Sequence, residues 1–221
     1  MKEGFKKYQY KELEDSAILQ NSITYRNNLE NRRSIRFFSD KPVDKQVIEN
    51  IIMSASSAPS GANKQPWTFC AISNPEFKAK IRKAAEIEEY ENYHGRMGEE
   101  WLRDLEKFDT DWHKPFLETA PWLIVVFKSA YDVDSKGVKH KNYYVNESVG
   151  IACGFLISAI HQVGLVTLTH TPSPMNFLHE ILGRPENERA YLLLPVGHPS
   201  DDAEVPILEK KTSDQVIKYF E

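Results

Sequence analysis

The segment from Asn142 to Val163 contains the run VGIACGFLISAI, carries apolar residues on nearly every side of a helical projection and closes on Gly164. A helix apolar all round has no face to give to water. It has to be buried, either in the middle of a fold or against a partner subunit. The apolar run falls well short of the roughly 20 residues that span a bilayer. A chain of 221 residues is long enough for one sizeable core and too short for two comfortable ones. The expectation is a single α+β domain over residues 1–221 that packs its other elements around this helix.

Those elements follow from periodicity. SITYRNNLENRRSIRFF begins as a helix and turns extended at Ile35 to Phe38. Pro42 and Asp44 introduce a second helix, with Asp44 as its N-cap and Val47, Ile48, Ile51 and Ile52 on one face. WTFCAI reads as the first core strand. Asn74 and Pro75 make a helix start, a cap followed by a first-turn proline. The next strong strand, PWLIVVF, begins only at Pro121. Residues 73–120 are therefore a long excursion between two strands, of the kind that often forms lids or binding elements. LVTLTHT and YLLLPVGHP supply two more strands, separated by a short helix ending at Gly183. The polar tail after Pro199 is suited to wrapping over a neighbour.

Composition excludes several classes. With 28 basic and 32 acidic side chains the net charge is −4, so no global field favours nucleic acid or an anionic membrane. The N-terminus MKEGFKKYQYKELED lacks the apolar stretch of a signal peptide. Cys70 and Cys153 each sit in an apolar run, as small buried hydrophobes do, and form no redox or zinc pattern. The histidines show no ligand spacing, so no metal is expected. A cytoplasmic protein is the default reading.

Two segments carry chemistry. NRRSIRF crowds Arg32, Arg33 and Arg36 together, and guanidiniums that close repel unless an anion or carboxylates lie among them. A phosphorylated ligand and a solvated basic turn paired with Asp40 or Glu30 both satisfy that requirement. SAPSGANKQPW is either a structural turn or a loop that brings backbone N–H groups close to a flat ligand. Gly61 would remove the side-chain obstacle, and Asn63 and Gln65 offer amides. Within EIEEYENYHGRM, Glu89 and Tyr93 are one helical turn apart, so both can face one ligand or simply the solvent.

In this order, RRSIRFFSDKPV and SAPSGANKQPW resemble the FMN-dependent nitroreductase superfamily. The segments that follow, RKAAEIEEYENYHGRMGEEWLRDL, DWHKPFLETAPWLIVVFK, NESVGIACGFLISAI, GLVTLTHTP, ILGRP and LLPVGHPS, narrow the similarity to the iodotyrosine deiodinase family. The likeness runs from about Asn31 to the C-terminus. It implies a nitroreductase-like fold, a central, mainly antiparallel β-sheet flanked by helices. It also implies a homodimer with active sites at the interface and a C-terminal extension, residues 200–221, over the partner.

The resemblance also implies roles. Arg32, Arg33, Ser34, Ile35 and Arg36 match the FMN-binding arginine segment, and Ser60 matches a flavin contact. Thr169, His170 and Thr171 match a stretch along the flavin, with the Thr171 hydroxyl near N5 as the catalytic group. The family commonly has threonine at the His170 position, so there only a backbone role carries over. Lys210 stands where an arginine commonly reaches the phosphate and keeps the charge without the fork. Glu89, Tyr93 and Lys114 match a substrate clamp on a lid within residues 73–120, and the Ala62 N–H matches a contact to the substrate phenolate. The implied activity is FMN-dependent reductive dehalogenation of halogenated tyrosines, 3-iodo-L-tyrosine to L-tyrosine and iodide, by one-electron flavin chemistry. A general FMN-dependent nitro or quinone reductase is the alternative. A flavin carrier or sensor and a structural oligomer are more distant ones. No nicotinamide-binding motif is recognisable, so a separate NADPH- or NADH-dependent reductase is the expected electron donor. Vertebrate members carry an N-terminal membrane anchor. No such segment is seen here, and a soluble member is expected.

Overall fold

The computed structural model describes residues 3–221 and divides into two units, Met1–Arg32 and Arg33–Glu221. The first contains helix α1 (Asp15–Glu30), none of whose side chains is buried. The second unit holds every other element.

Its sheet has four strands in the order β1-β2-β6-β5, each pair antiparallel. These are β1 (Trp67–Ile72), β2 (Trp122–Ser129), β5 (Val166–Thr167) and β6 (Glu188–Gly197). Strand β2 is central and buried on both sides. Its alternate residues Leu123, Val125 and Phe127 pack into one core with Ile81, Ala85, Phe116, Leu117 and Leu178. The intervening Ile124 and Val126 join a second core with Ile48, Ile51, Val149, Leu156 and Ile160. A period of two thus feeds two helical layers from one strand. The first layer is α3 (Pro75–Glu91), α5 (Phe116–Thr119) and α7 (Asn176–Ile181); the second is α2 (Lys45–Ser56) and α6 (Val145–Gln162). A parallel bridge from Ser34 to Thr167 adds a short extended piece beside β5. The mainly antiparallel sheet and flanking helices agree with the expected fold.

The caps are where the sequence places them. Asp44 accepts from Gln46 N–H at 2.6 Å, and Asn74 accepts from the N–H groups of Glu76 and Phe77 ahead of Pro75. The apolar helix differs in two respects. It begins at Val145 rather than Asn142, because Tyr144 is left-handed (φ 48°) and the buried Asn142 is held by Ser129 and Asp132 instead. It also leaves Ile151 and Phe155 more than 40% exposed in the single chain, so only part of its surface is covered. LVTLTHT yields a strand at Val166–Thr167 alone. The chain then leaves the edge and touches β6 again only where His170 bridges Leu193. The hairpin of β3 (Tyr131–Val133) and β4 (Lys139–Lys141) is additional. Asp134 caps its turn, and Gly137 supplies the positive φ.

Gly61 is needed for a reason internal to the fold. A Cβ there would meet the Tyr143 carbonyl at 2.9 Å and the Tyr144 ring at 3.0 Å. Gly197 is tighter, since its Cβ would lie 2.5 Å from Cδ of Pro121. Gly197→Ala should cost about 1–3 kcal/mol through overpacking at this contact. A urea melt checks this, and an unchanged midpoint would show that Pro121 gives way freely.

Candidate functional site

Helix α3 grips the last part of the excursion, residues 114–120, through a stripe of polar residues spaced at helical intervals. Lys78 Nζ donates to the carbonyls of Glu118 and Ala120 at 2.8 and 2.9 Å, closing the end of α5. Arg82 pairs with Glu118 at 3.2 Å, and the Glu86 carboxylate accepts the backbone N–H of Lys114 at 2.8 Å. One turn on, Glu89 faces the Lys114 ammonium at 3.9 Å. This grip brings Lys114, distant in sequence, onto the face that Glu89 and Tyr93 share.

Past Glu91 the helix opens into a single π-type turn, Asn92–Arg96, whose wider ring is closed by Met97 N–H on the Asn92 carbonyl at 2.9 Å. Such turns are frequent at functional sites because they re-aim side chains. Tyr93 donates to the Thr110 carbonyl at 3.1 Å, and its ring lies 5.4 Å from Lys114 Nζ. Lys114 also donates to the Asp111 carbonyl. Asn92 and Arg96 both donate to the Ser173 carbonyl, at 3.2 and 3.3 Å, latching the turn to the 171–175 loop. Helix α4 (Glu99–Glu106) follows and buries no side chain.

These groups surround a cavity of about 550 Å³. Arg36, Glu89, Tyr93, Lys114, Thr169, His170 and Thr171 line it together with Asn92, Arg96 and Phe116. Glu89 and Lys114 are only 7% and 4% exposed. Burial raises the Glu89 pKa against the pull of Lys114, and lowers that of Lys114 against the pull of Glu89. Burial also raises the Tyr93 phenol, which stays a neutral donor. It lowers Arg36, which packs over the Phe108 ring at 5.6 Å and has no carboxylate at ion-pair distance among the described residues. The cavity therefore offers a buried carboxylate, a phenol, an ammonium and an unneutralised guanidinium. That set matches a ligand carrying both charges of an amino acid.

The remaining expected residues lie elsewhere in the single chain. Ser60, Ala62 and Lys210 do not line this cavity, and neither do Arg32, Arg33, Ser34 and Ile35. Arg33 donates to the Pro206 carbonyl, and Ile35 N–H donates to Thr167 at 3.2 Å. Ser60 accepts from Gln65 N–H at 2.9 Å, while Ala62, Asn63 and Gln65 all hold positive φ. Lys210 is exposed on the tail. Asn92, Arg96 and Phe116 were not singled out by sequence. Polar residues on a helix end and an apolar residue near a proline carry no signal until the π turn and α5 are placed. Among the described residues, no cluster of His, Cys, Asp and Glu could hold a metal, and no helix is long and apolar enough to cross a membrane.

Residues 29–198 match the model of the nitroreductase family, and the chain belongs to that family. Within it, the similarity is specific. An iodotyrosine deiodinase of Haliscomenobacter hydrossis is 59% identical over 219 residues, covering 99% of each chain. Iodotyrosine deiodinase 1 of Homo sapiens is 45% identical over 92% of this chain and 71% of its own. A solved structure of oxidized iodotyrosine deiodinase bound to FMN and 3-iodo-L-tyrosine superposes with a TM-score of 0.75 at 28% identity. The match covers 89% of this chain and 99% of that one.

Two outcomes follow from the geometry. Burial pushes His170 down to about 3, helped by Lys114 and Arg36. From about pH 6.5 to 3 the unfolded chain then takes a proton that the folded chain refuses, so stability falls as the pH falls. His170→Asn should remove on the order of 3 kcal/mol of the loss between pH 7 and pH 4, read from denaturation at both values. An unchanged pH slope would mean the imidazole is protonated in place. Separately, replacing Asn92 and Arg96 by alanine should speed amide exchange across residues 92–113 and leave β2 protected. Equal acceleration in β2 would show global loosening instead.

Proposed function

We propose that this chain is an FMN-dependent halotyrosine dehalogenase that converts 3-iodo-L-tyrosine to L-tyrosine and iodide. The observation that supports this most directly is the convergence of Glu89, Tyr93 and Lys114 on one buried cavity beside Thr169–Thr171. A general nitro or quinone reductase has no use for that set.

The residues present fit FMN. Arg36 is a half-buried cation without a carboxylate partner, and Arg33 and Ser34 lie in the same extended segment. Arginine forks suit a phosphate or the polar edge of a flat ring. Ile35 adds its backbone, and Arg32, Ser60 and Lys210 complete the expected cofactor set. The flavin, when bound, supplies the electrons, and the protein supplies orientation and binding.

In this reading the substrate ammonium docks on Glu89, and its carboxylate on Lys114 and the Tyr93 hydroxyl. The Ala62 N–H meets the phenolate oxygen, for which the left-handed backbone at φ 51° re-aims that group. Thr171, exposed on the cavity rim, offers its hydroxyl toward the flavin N5. The π turn and α4 form the lid, which excludes water from the reacting carbon–halogen bond. Loss of iodide takes two electrons and one proton onto the ring carbon.

Ser60, Ala62 and Lys210 lie off the cavity of one chain, which accords with a homodimer whose sites form between subunits. Exposed Ile151 and Phe155 on α6, and Leu208, Ile217 and Phe220 on the tail, are suited to covering a second copy. The tail would then be the extension over the partner. The free thiols of Cys70 and Cys153 accord with the cytoplasm, where a separate NAD(P)H-dependent reductase would renew the electrons.

The deciding experiment is an anaerobic single turnover of chemically reduced, FMN-loaded protein with 3-iodo-L-tyrosine. Stoichiometric tyrosine and iodide are expected. No product, together with rapid reoxidation by a nitroarene, would make the protein a nitroreductase. Glu89→Gln and Lys114→Met should each weaken iodotyrosine binding by about 2–5 kcal/mol with FMN binding retained, because each leaves a buried charge unpaired. Thr171→Ala should lose dehalogenation selectively over nitro reduction.

A further inference from the structure

His170 is the one cavity residue whose side chain departs from the role expected of its position. Its backbone is fully occupied, since its N–H donates to Leu193 O at 2.9 Å and its carbonyl accepts Leu193 N–H at 3.1 Å. Along the extended segment, Thr169 and Thr171 are exposed and His170 is turned the other way, 6% exposed. Its ring meets Phe116 edge to face at 5.6 Å, and its Nδ1 lies 3.9 Å from Oε1 of Glu89. Lys114 approaches the other oxygen of the same carboxylate at 3.9 Å. Glu89 thus faces one group on each oxygen, both just beyond hydrogen-bond distance.

The two tautomers are not equivalent here. Nε2 is buried and has no hydrogen-bond partner. A proton on Nε2 would leave a buried donor unpaired and point the Nδ1 lone pair at a carboxylate. A proton on Nδ1 reverses both faults, turning a donor toward Glu89 and leaving at Nε2 only an unused acceptor. We infer that His170, as the neutral Nδ1–H tautomer, is a positioning residue that orients Glu89 for the substrate ammonium and so sets the preference for amino-acid substrates over plain halophenols. This rests on the reading of the cavity as an amino-acid clamp.

Neutrality matters to the role. The charged groups that face His170 are Glu89 from α3, Lys114 from the segment before α5, and Arg36 from the segment before α2. A cationic imidazole would be a third positive charge and would compete with the incoming ammonium for Glu89. A neutral donor steadies the carboxylate and leaves its charge available. Burial and the two neighbouring cations keep the ring neutral at working pH.

The test measures binding to the FMN-loaded protein by quenching of flavin fluorescence, with 3-iodo-L-tyrosine and with 2-iodophenol, which lacks the amino-acid end. His170→Phe should weaken iodotyrosine binding roughly 10- to 100-fold, the effect of losing a donor that closes onto the charged carboxylate when the ligand seats, and leave 2-iodophenol binding within about twofold. His170→Asn places an amide N–H where Nδ1 was and should restore most of the affinity. His170→Gln places it at the Nε2 position and should not. Equal iodotyrosine affinity in wild type and His170→Phe overturns the positioning role while the clamp reading stands, as does equal loss in the Asn and Gln variants. If His170→Phe fails to take up FMN, the Asn and Gln pair decides alone. If wild-type protein does not bind iodotyrosine, the clamp reading fails and this role fails with it.

Discussion

The grip of α3 on residues 114–120 is the constraint from which the site follows. Lys78, Arg82, Glu86 and Glu89 recur along one side of the helix, and each takes hold of the same returning segment. The apolar side of α3, Ile81 and Ala85, is fully buried against β2 and α5, so the polar stripe cannot rotate away. Three contacts of the stripe are ordinary structure: two carbonyls closed by an ammonium, a surface pair and a capped N–H. The fourth, Glu89 with Lys114, stands at a longer separation than a tight ion pair and opens on a cavity. A single helical ladder thus passes from scaffold to cavity lining within one turn.

That opened pair has an energetic sense. Two buried charges cost several kcal/mol each to desolvate, and their attraction offsets this only when geometry and hydrogen bonds are good. At 3.9 Å, Glu89 and Lys114 meet each other only loosely. A zwitterion placed between them would give each charge a closer partner of opposite sign. A neutral ligand would separate them and leave both unpaired. Selectivity for an amino acid would then come as much from this penalty on the wrong ligand as from attraction to the right one.

Much of this was legible in the sequence because it was written locally. Asp44, and Asn74 with Pro75, mark helix starts by chemistry that involves only the next few residues. The apolar run WLIVVF needs no partner to be read as a strand, although which residue enters which core is not written in it. The pairing of Glu89 with Tyr93 is visible at helical spacing, but Lys114 joins them only through the α3 grip, so without a resemblance its place could not be derived. Elements set by tertiary context were misread or missed. The apolar helix starts late because the Asn142 side chain is taken by the neighbouring hairpin. LVTLTHT looks like a strand along its length, yet after Thr167 it leaves the edge of the sheet, carrying Thr169 and Thr171 outward and His170 inward. Gly61 suggested room for a ligand, and what approaches it within this chain is the backbone entering α6. The buried imidazole was the hardest to foresee, since a position read for its backbone also turns its side chain inward, beside Glu89.

The latched turn has a consequence for the entropy of closure. The excursion spans nearly fifty residues, yet its first stretch is core helix, as Asn74 and Pro75 announce, and its last is clamped to that helix. The part between Asn92 and Asp111 has both ends already brought together by contacts that no ligand has to form. Were this part to close as a lid, most of the chain entropy of closure would be spent when the protein folds rather than when it binds. A small ligand of few atoms would then command a large lid, because it would have only the last increment of order to supply.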